Sequence, residues 1–328
     1  MGNPLGPNDR IVGLDIGGTK MMAVVLNNKF KVLGRCRKKS RSEDNANEKP
    51  EDRICRIVRL AMEDAKVDTI RGIGVGSPGP LDPNTGVIID TPNLGWKNFP
   101  LGRMLSKTFG VPTVVNNDVN LGTYGEWRFG KIKDAKNVIG VFPGTGIGGG
   151  LILNGSLFHG FSGAAGEVGH MTIEVDGPYC GCGKRGCLEA VASRLAIASQ
   201  VAAMAARGDA PYILANCGTD MANIRSGSLA KAIEAGDAMV EGVVRKAAYY
   251  VGIGVANLIN IMSPEAVVLG GGLVEAMPKI YLDECQRAVK YHAMPFLRKG
   301  VKIVAARLGD DAVALGAGKL LVEHLATL

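Results

Sequence analysis

Two distant stretches of this chain carry one pattern: "IVGLDIGGTKMMAVVLNNKFKVLG" at residues 11–34 and "NVIGVFPGTGIGGGLILNGSLFHG" at residues 137–160. Each places a β-rich run, a Gly/Thr cluster and a second β-rich run in order, which is a hairpin signature. Repetition of a whole supersecondary unit constrains the chain to two related lobes. At 328 residues it has the length for two domains of roughly 100–200 residues each.

The remaining segments fill in an α/β pattern. Ile54, Ile57, Val58, Ala61, Met62 and Ala65 recur at helical spacing over residues 50–65. A strand is expected at 70–75, then a Pro/Gly turn region, then a short strand at 113–115 ending in "NND". Helices are expected at 188–207 and 237–262. "EAVVLGGGL" reads as a buried strand entering a glycine turn, with a helix from Val274; "VKIVAAR" is another strand. A helix over 311–325 closes the chain, with Asp310 or Asp311 as its N-cap. Hairpins followed by helix–strand alternation describe mixed sheets in two lobes.

Composition narrows the function classes. Hydrophobic residues at 46% and charged residues at 21% are ordinary for a folded domain. The 46 glycines are about twice the usual share and are expected where the backbone turns tightly or approaches a ligand. The net charge of +7 invites a nucleic-acid reading, but its densest run, "RCRKKSR" at 35–41, precedes the polar "SEDNANEKPED" and reads as a solvated turn. With few aromatics for stacking, no nucleic-acid partner is expected. No apolar run has membrane-span length, so no membrane partner is expected either. The opening "MGNPLGPNDR" lacks an apolar signal core, and Gly6 stands where myristoylation wants Ser or Thr. A cytoplasmic protein is expected, in a compartment where disulfides are rare.

Two motif matches fail on context. "GEWRFGKI" at 125–132 has P-loop spacing, but Ile132 replaces the magnesium-holding hydroxyl and bulky side chains occupy the loop. "GVGSPG" at 74–79 fits a dinucleotide fingerprint, yet the breaker-rich "PLDPNTG" follows where a helix must open.

Four stretches carry chemistry. In "DIGGTK", Gly17 and Gly18 can aim main-chain N–H groups at phosphate oxygens. Thr19 and Lys20 add a hydroxyl and a charge, and Asp15 could hold hydrated Mg²⁺; an ordinary glycine turn reads equally well. "PGTGIGGG" repeats the design with Gly144, Thr145, Gly146 and Gly148, and "LGGGL" with Gly271 and Gly272 joins a strand to a helix, where a nucleoside would dock. In "VVNNDVN", Asp118 could accept a proton from an attacking hydroxyl that Asn117 orients, or the pair could simply cap the next helix. Finally, His170, Cys180, Cys182 and Cys187 supply one imidazole and three thiols, a complete set for tetrahedral zinc with no open position. The zinc is therefore expected to be structural. Three thiols disfavour a disulfide, and the absence of C-x-x-C disfavours a redox pair.

Together these stretches resemble the ROK family (repressors, open reading frames, sugar kinases). "GHMTIEVDGPYCGCGKRGCLEA" is similar to the family signature, while "DIGGTK", "GTGIGGG" and "NND" match its phosphate motifs and catalytic segment. The resemblance covers essentially the whole chain. It implies a two-lobed actin-like ATPase (ribonuclease H-like) fold with an interlobe active-site cleft. The smaller lobe would be residues 9–118 plus 312–328 and the larger 119–311, holding the second phosphate motif, the zinc loop and the adenosine site. It further implies Asp118 as general base and Gly79, Asn93, Asn117, Glu167, His170 and Glu189 as sugar ligands, His170 serving zinc and sugar through different ring nitrogens. Loss of zinc would then abolish sugar binding without touching the phosphate sites directly.

The implied activity is phosphoryl transfer from ATP, with Mg²⁺, to a sugar. "PNLGW", "NND" and "GEVGHM" resemble the glucokinase pattern, which favours the 6-hydroxyl of glucose. Fructose, mannose, N-acetylglucosamine or N-acetylmannosamine are the alternative acceptors. The family's repressors, which bind sugar without phosphorylating it, carry an N-terminal helix-turn-helix, and "DIGGTK" beginning at residue 15 disfavours that reading. Polyphosphate-using relatives generally lack the cysteine cluster, which favours ATP. A homodimer is expected from the family habit. Phe142-Pro143, before the second glycine cluster, stands where relatives often have other residues, and sequence alone offers no reading of it.

Overall fold

The computed structural model describes residues 4–40, 48–91 and 94–328. The chain divides into two compact units: unit 1 runs up to Lys133 and adds Leu157–Ala165 and Asp310–Leu328, and unit 2 comprises Asp134–Ser156 and Gly166–Gly309.

Unit 1 contains β1 (Arg10–Ile16), β2 (Lys20–Asn27), β3 (Val32–Lys39), β4 (Ile73–Ser77), β5 (Leu81–Asp82), β6 (Val87–Thr91), β7 (Trp96–Phe99) and β8 (Thr113–Asn117). Its helices are α1 (Pro50–Asp64), α2 (Leu101–Phe109), α3 (Asp118–Phe129) and, from the chain's end, α12 (Asp311–Leu325). Unit 2 contains β9 (Val138–Pro143), β10 (Ile147–Leu153), β11 (Ser156–Leu157), β12 (Ala266–Leu269) and β13 (Lys302–Ala305). Its helices are α4 (Leu188–Ala192), α5 (Arg194–Ala206), α6 (Pro211–Cys217), α7 (Ser226–Glu234), α8 (Ala238–Met262), α9 (Gly272–Ala276), α10 (Pro278–His292) and α11 (Pro295–Arg298).

The repeat in sequence is a repeat in topology. The main sheet of unit 1 has the order β3-β2-β1-β4-β8, and that of unit 2 the order β11-β10-β9-β12-β13. In each, an antiparallel hairpin leads and parallel strands extend the other edge. Ile11, Val12, Leu14 and Ile16 of β1 are all fully buried, so this strand is a near-continuous apolar run covered on both faces.

Glycine has a use beyond turns and ligand contacts. A Cβ on Gly13 or Gly74 would lie 2.1 Å from a carbonyl oxygen of α12, that of Ala314 or Ala317. Where α3 and α12 cross, a Cβ on Gly125 would meet the Ala312 oxygen at 2.2 Å, and one on Gly316 the Leu121 oxygen at 2.0 Å. Helix α12 therefore rests backbone to backbone on β1, β4 and α3, which side chains would prevent. Because α3 packs on α12, unit 1 continues past residue 118 to Lys133.

Several local expectations change. Residues 188–207 are two helices, because Ser193 is extended (φ −71°, ψ 163°) and its hydroxyl caps α5 by accepting from the Ala196 N–H at 3.2 Å. That break also divides Leu188–Ala206, the one stretch among the described residues with the length and apolar composition to cross a membrane, and more than half of it is buried inside the protein. The strand expected at 70–75 begins at Ile73, and the turn region after it forms the small β5-β6-β7 sheet. The basic run is no solvated turn: residues 35–39 lie on β3, where Arg35 pairs with Asp311 and Arg37 with Asp310; Arg41 lies outside the described residues. Asp310 consequently makes no capping bond to α12.

The glycine seat makes a signed prediction. Gly316→Ala should lower unfolding stability by about 1–3 kcal/mol through overpacking. Gly242→Ala, on the exposed face of α8 with nothing within 4 Å, should raise it by up to about 1 kcal/mol. Urea unfolding of both variants checks the pair.

Candidate functional site

In unit 1 the parallel register of β1, β4 and β8 aligns Asp15 with Gly76, and Gly76 and Ser77 with Asn116 and Asn117. Asp15, near the end of β1, and Asp118, opening α3 directly after β8, thus belong to the carboxyl ends of the two parallel strands that flank β4, the usual place for ligand chemistry in α/β folds. Burial, then the charges of Asp118 and Asp310, push Asp15 up to about 7 against the opposing pull of Lys20 and Arg37. Asn117 does cap α3, its Oδ1 accepting from the N–H groups of Val119 and Asn120 at 2.9 and 3.1 Å. Its Nδ2 lies 3.7 Å from where a Cβ on Gly79 would sit, so these two expected ligands are neighbours. Asn93 lies outside the described residues.

The first glycine turn closes with the Gly17 N–H donating to the Lys20 oxygen at 2.9 Å. Ser40 latches it, its N–H donating to the Thr19 oxygen at 2.9 Å and its hydroxyl to the Gly17 oxygen at 2.5 Å. Gly18 and Thr19 are exposed, while the Lys20 ammonium is engaged by Asp310. Sequence reading missed both Ser40 and this role of Asp310.

In unit 2 the second glycine turn closes with the Gly144 N–H on the Gly146 oxygen at 2.8 Å, and Gly148 pairs with Phe142 in the ladder. Glu189 holds this turn: its Oε2 accepts from the Ile147 N–H at 2.8 Å and lies 2.3 Å from where a Cβ on Gly146 would be. The Phe142 ring lies 2.4 Å from the Cβ position of Gly270, and the Pro143 oxygen 2.7 Å from that of Gly271 (φ +79°). Phe142-Pro143 is therefore the seat of the glycine turn that opens α9, and Gly272 begins that helix.

The cysteine loop is pinned by isolated bridges, Thr172 to Cys187 and Tyr179 to Arg185. One donor atom each from His170, Cys180, Cys182 and Cys187 fall within 4.8 Å of one another. The Cys182–Cys187 sulfurs are 3.7 Å apart and Cys180 Sγ lies 3.6 Å from His170 Nδ1. Ligands about 2.3 Å from a tetrahedral ion stand about 3.8 Å from one another, so these donors can hold a metal ion. Nδ1 faces the thiols while Nε2 is 3.8 Å from Glu167 Oε2, which separates the two faces of the ring. Cys180 Sγ is also 3.8 Å from Glu189 Oε1. Glu189 thus joins the thiol loop to the glycine turn.

A cavity of about 580 Å³ in unit 1 is lined by Asn116, His159, Phe161 and the end of α12. Asn116 Nδ2 is 2.8 Å from His159 Nε2, and burial lowers the pKa of that ring. Neither Asp15 nor Asp118 lines it, so it is separate from the acidic pair.

The duplicated sheets and their glycine turns are those of the actin-like ATPase class. The sequence matches the ROK family over residues 11–324, and the chain belongs to that family. It is 33% identical over 320 residues to a glucokinase of Halalkalibacterium halodurans, covering 95% of both chains. A ROK glucokinase from Streptomyces griseus, solved with glucose and AMPPNP, superposes with a TM-score of 0.82 at 30% identity, covering 95% of this chain and 98% of that one. The chain is also 33% identical over 253 residues to a xylose repressor of Bacillus spizizenii, spanning 77% of this chain and 61% of the repressor.

The raised pKa of Asp15 has a sign. The native state keeps this proton up to about pH 7, whereas the unfolded chain releases it near 3.8. Native Asp15 thus binds more protons than unfolded Asp15 between those values, so its cost to stability grows from about pH 4 and is complete above pH 7. Asp15→Asn should stabilise the ligand-free protein by about 1–3 kcal/mol at pH 8 and by little at pH 4. Urea unfolding at both pH values, without divalent cations, measures the difference.

Proposed function

We propose that the protein is an ATP-dependent sugar kinase acting on the 6-hydroxyl of glucose. The observation that carries this reading is Asp118, held at the start of α3 and electrostatically coupled to Asp15. A reader of sugars alone needs no such acidic pair. Asp118 accepts the proton of the sugar hydroxyl as the hydroxyl oxygen attacks the γ-phosphorus, and the bond from that phosphorus to the β,γ-bridging oxygen breaks to release ADP. Asn117 has its oxygen committed to the cap, which leaves its Nδ2, beside Gly79, to orient that hydroxyl. Glu167, the Nε2 of His170, Glu189 and Asn93 hold the remaining sugar hydroxyls.

The N–H groups and hydroxyls of Gly17–Thr19 and of Gly144–Gly148 bind the phosphates, and Gly271–Gly272 receives the adenosine. Lys20, held by Asp310, lends charge at the first turn. Asp15 would hold Mg²⁺, which when bound neutralises charge on the phosphates. His170 Nδ1 and the three thiolates would hold Zn²⁺ as a closed, structural set that fixes the loop. Bound that way, the ring keeps Nε2 for the sugar, and Glu189 keeps one geometry toward both sugar and glycine turn.

Asp118→Asn tests the role directly. Its kcat should fall about 10²–10⁴-fold or more, with sugar affinity and thermal unfolding close to the parent. Coupled ADP release, sugar calorimetry and a melting curve supply the three readouts. A variant turning over at the parent rate would remove Asp118 from the chemistry.

A further inference from the structure

The α4–α5 junction brings to the second glycine turn a cation that the mechanism above leaves unused. Arg194 opens α5; its backbone N–H donates to the Gly144 oxygen at 2.8 Å. Its Nη2 donates to Thr145 Oγ1 at 3.2 Å and its Nη1 to the Ile224 oxygen at 3.3 Å. The residue after Ile224 is a second cation, Arg225, at the N-cap of α7. Ser226 follows, with Oγ 3.5 Å from the Cβ position of Gly272. Within unit 2 the glycine turn, the two arginines and the Gly271–Gly272 turn are therefore contiguous.

What holds Arg194 is a hydroxyl and a carbonyl, and Arg225 Nε donates to the Ala222 oxygen. Among the described residues neither guanidinium pairs with a carboxylate. Burial and the Arg225 charge both lower the pKa of Arg194, as expected for partly desolvated like charges lacking an anion. A sugar is neutral and gives this pair nothing to bind. Phosphate oxygens do, because a guanidinium fork matches them in charge and geometry.

We infer that Arg194, seconded by Arg225, binds the phosphate chain of the nucleoside triphosphate between the glycine turn at Gly144–Gly146 and the turn at Gly271–Gly272. This rests on the kinase reading. Arg194 lies outside the glycine and acid motifs, and only the fold carries it to Thr145.

The test is calorimetric titration of the full-length protein with ATP, ADP and adenosine at two salt concentrations. The parent is compared with Arg194→Gln, Arg194→Lys and Arg225→Gln. Arg194→Gln should weaken ATP by about tenfold or more, as for a lost charge-assisted hydrogen bond. The loss should be smaller for ADP and within about twofold for adenosine, and the salt dependence of ATP binding should flatten. Arg194→Lys should recover part of the affinity, and Arg225→Gln should show a weaker loss of the same kind. If Arg194 only props the glycine turn, ATP and adenosine weaken by one common factor with the salt slope intact, and the assignment is overturned. An ATP affinity within twofold of the parent overturns it equally, with the kinase reading untouched. A parent that binds neither ATP nor ADP removes both. Should Arg194→Gln melt before titration, the Lys and Arg225 variants decide by the same criteria.

Discussion

The carboxylate of Glu189 is where the chemistry of unit 2 meets. One oxygen accepts the Ile147 N–H of the glycine turn and the other faces the sulfur of Cys180. The residue stands two positions after Cys187, so whatever fixes that thiol fixes the first turn of α4 and the carboxylate with it. Its closeness leaves room only for glycine at position 146. The thiol loop, the Glu189 carboxylate and the glycine turn therefore share one attachment, and a charge-assisted hydrogen bond at such a junction is among the stronger ones available to a protein.

The duplicated sheets solve the same problem with different side chains. Each has a glycine turn with few side chains of its own to hold its shape. In unit 1 the turn is latched by Ser40 from the following strand end and by the Lys20–Asp310 pair, with Arg37 on the same carboxylate. In unit 2 Glu189 from the first turn of α4 and Arg194 from the start of α5 do this. Unit 1 spends its glycines on seating α12 against β1, β4 and α3. That packing sets α3, and hence Asp118, against the sheet that carries Asp15.

Much of this was legible in the chain. The two hairpins, the closing helix and the thiol–imidazole set rest on local spacing, and spacing survives folding. The resemblance supplied the actin-like class. Other features are invisible locally because their partners lie far away in sequence. The use of Asp310 depends on Lys20 and Arg37, the role of Phe142-Pro143 on Gly270 and Gly271, and the position of Arg194 on Thr145. The break at Ser193 was hidden for another reason: the apolar period of residues 188–207 runs straight through it, and only the hydroxyl cap on Ala196 marks the restart. The pairing of the basic run is hidden because its acidic partners, Asp310 and Asp311, lie at the start of α12, far away in sequence.

The central claim is phosphoryl transfer to a sugar, and initial rates of ADP formation from MgATP measure it, with glucose, mannose, fructose, N-acetylglucosamine and N-acetylmannosamine offered separately to the zinc-loaded protein. The account predicts turnover with glucose above every other acceptor. Turnover led by another sugar would keep the chemistry and replace the acceptor. Sugar binding without turnover of any of them, in a folded protein that also binds ATP, would contradict the account and make the chain a sensor.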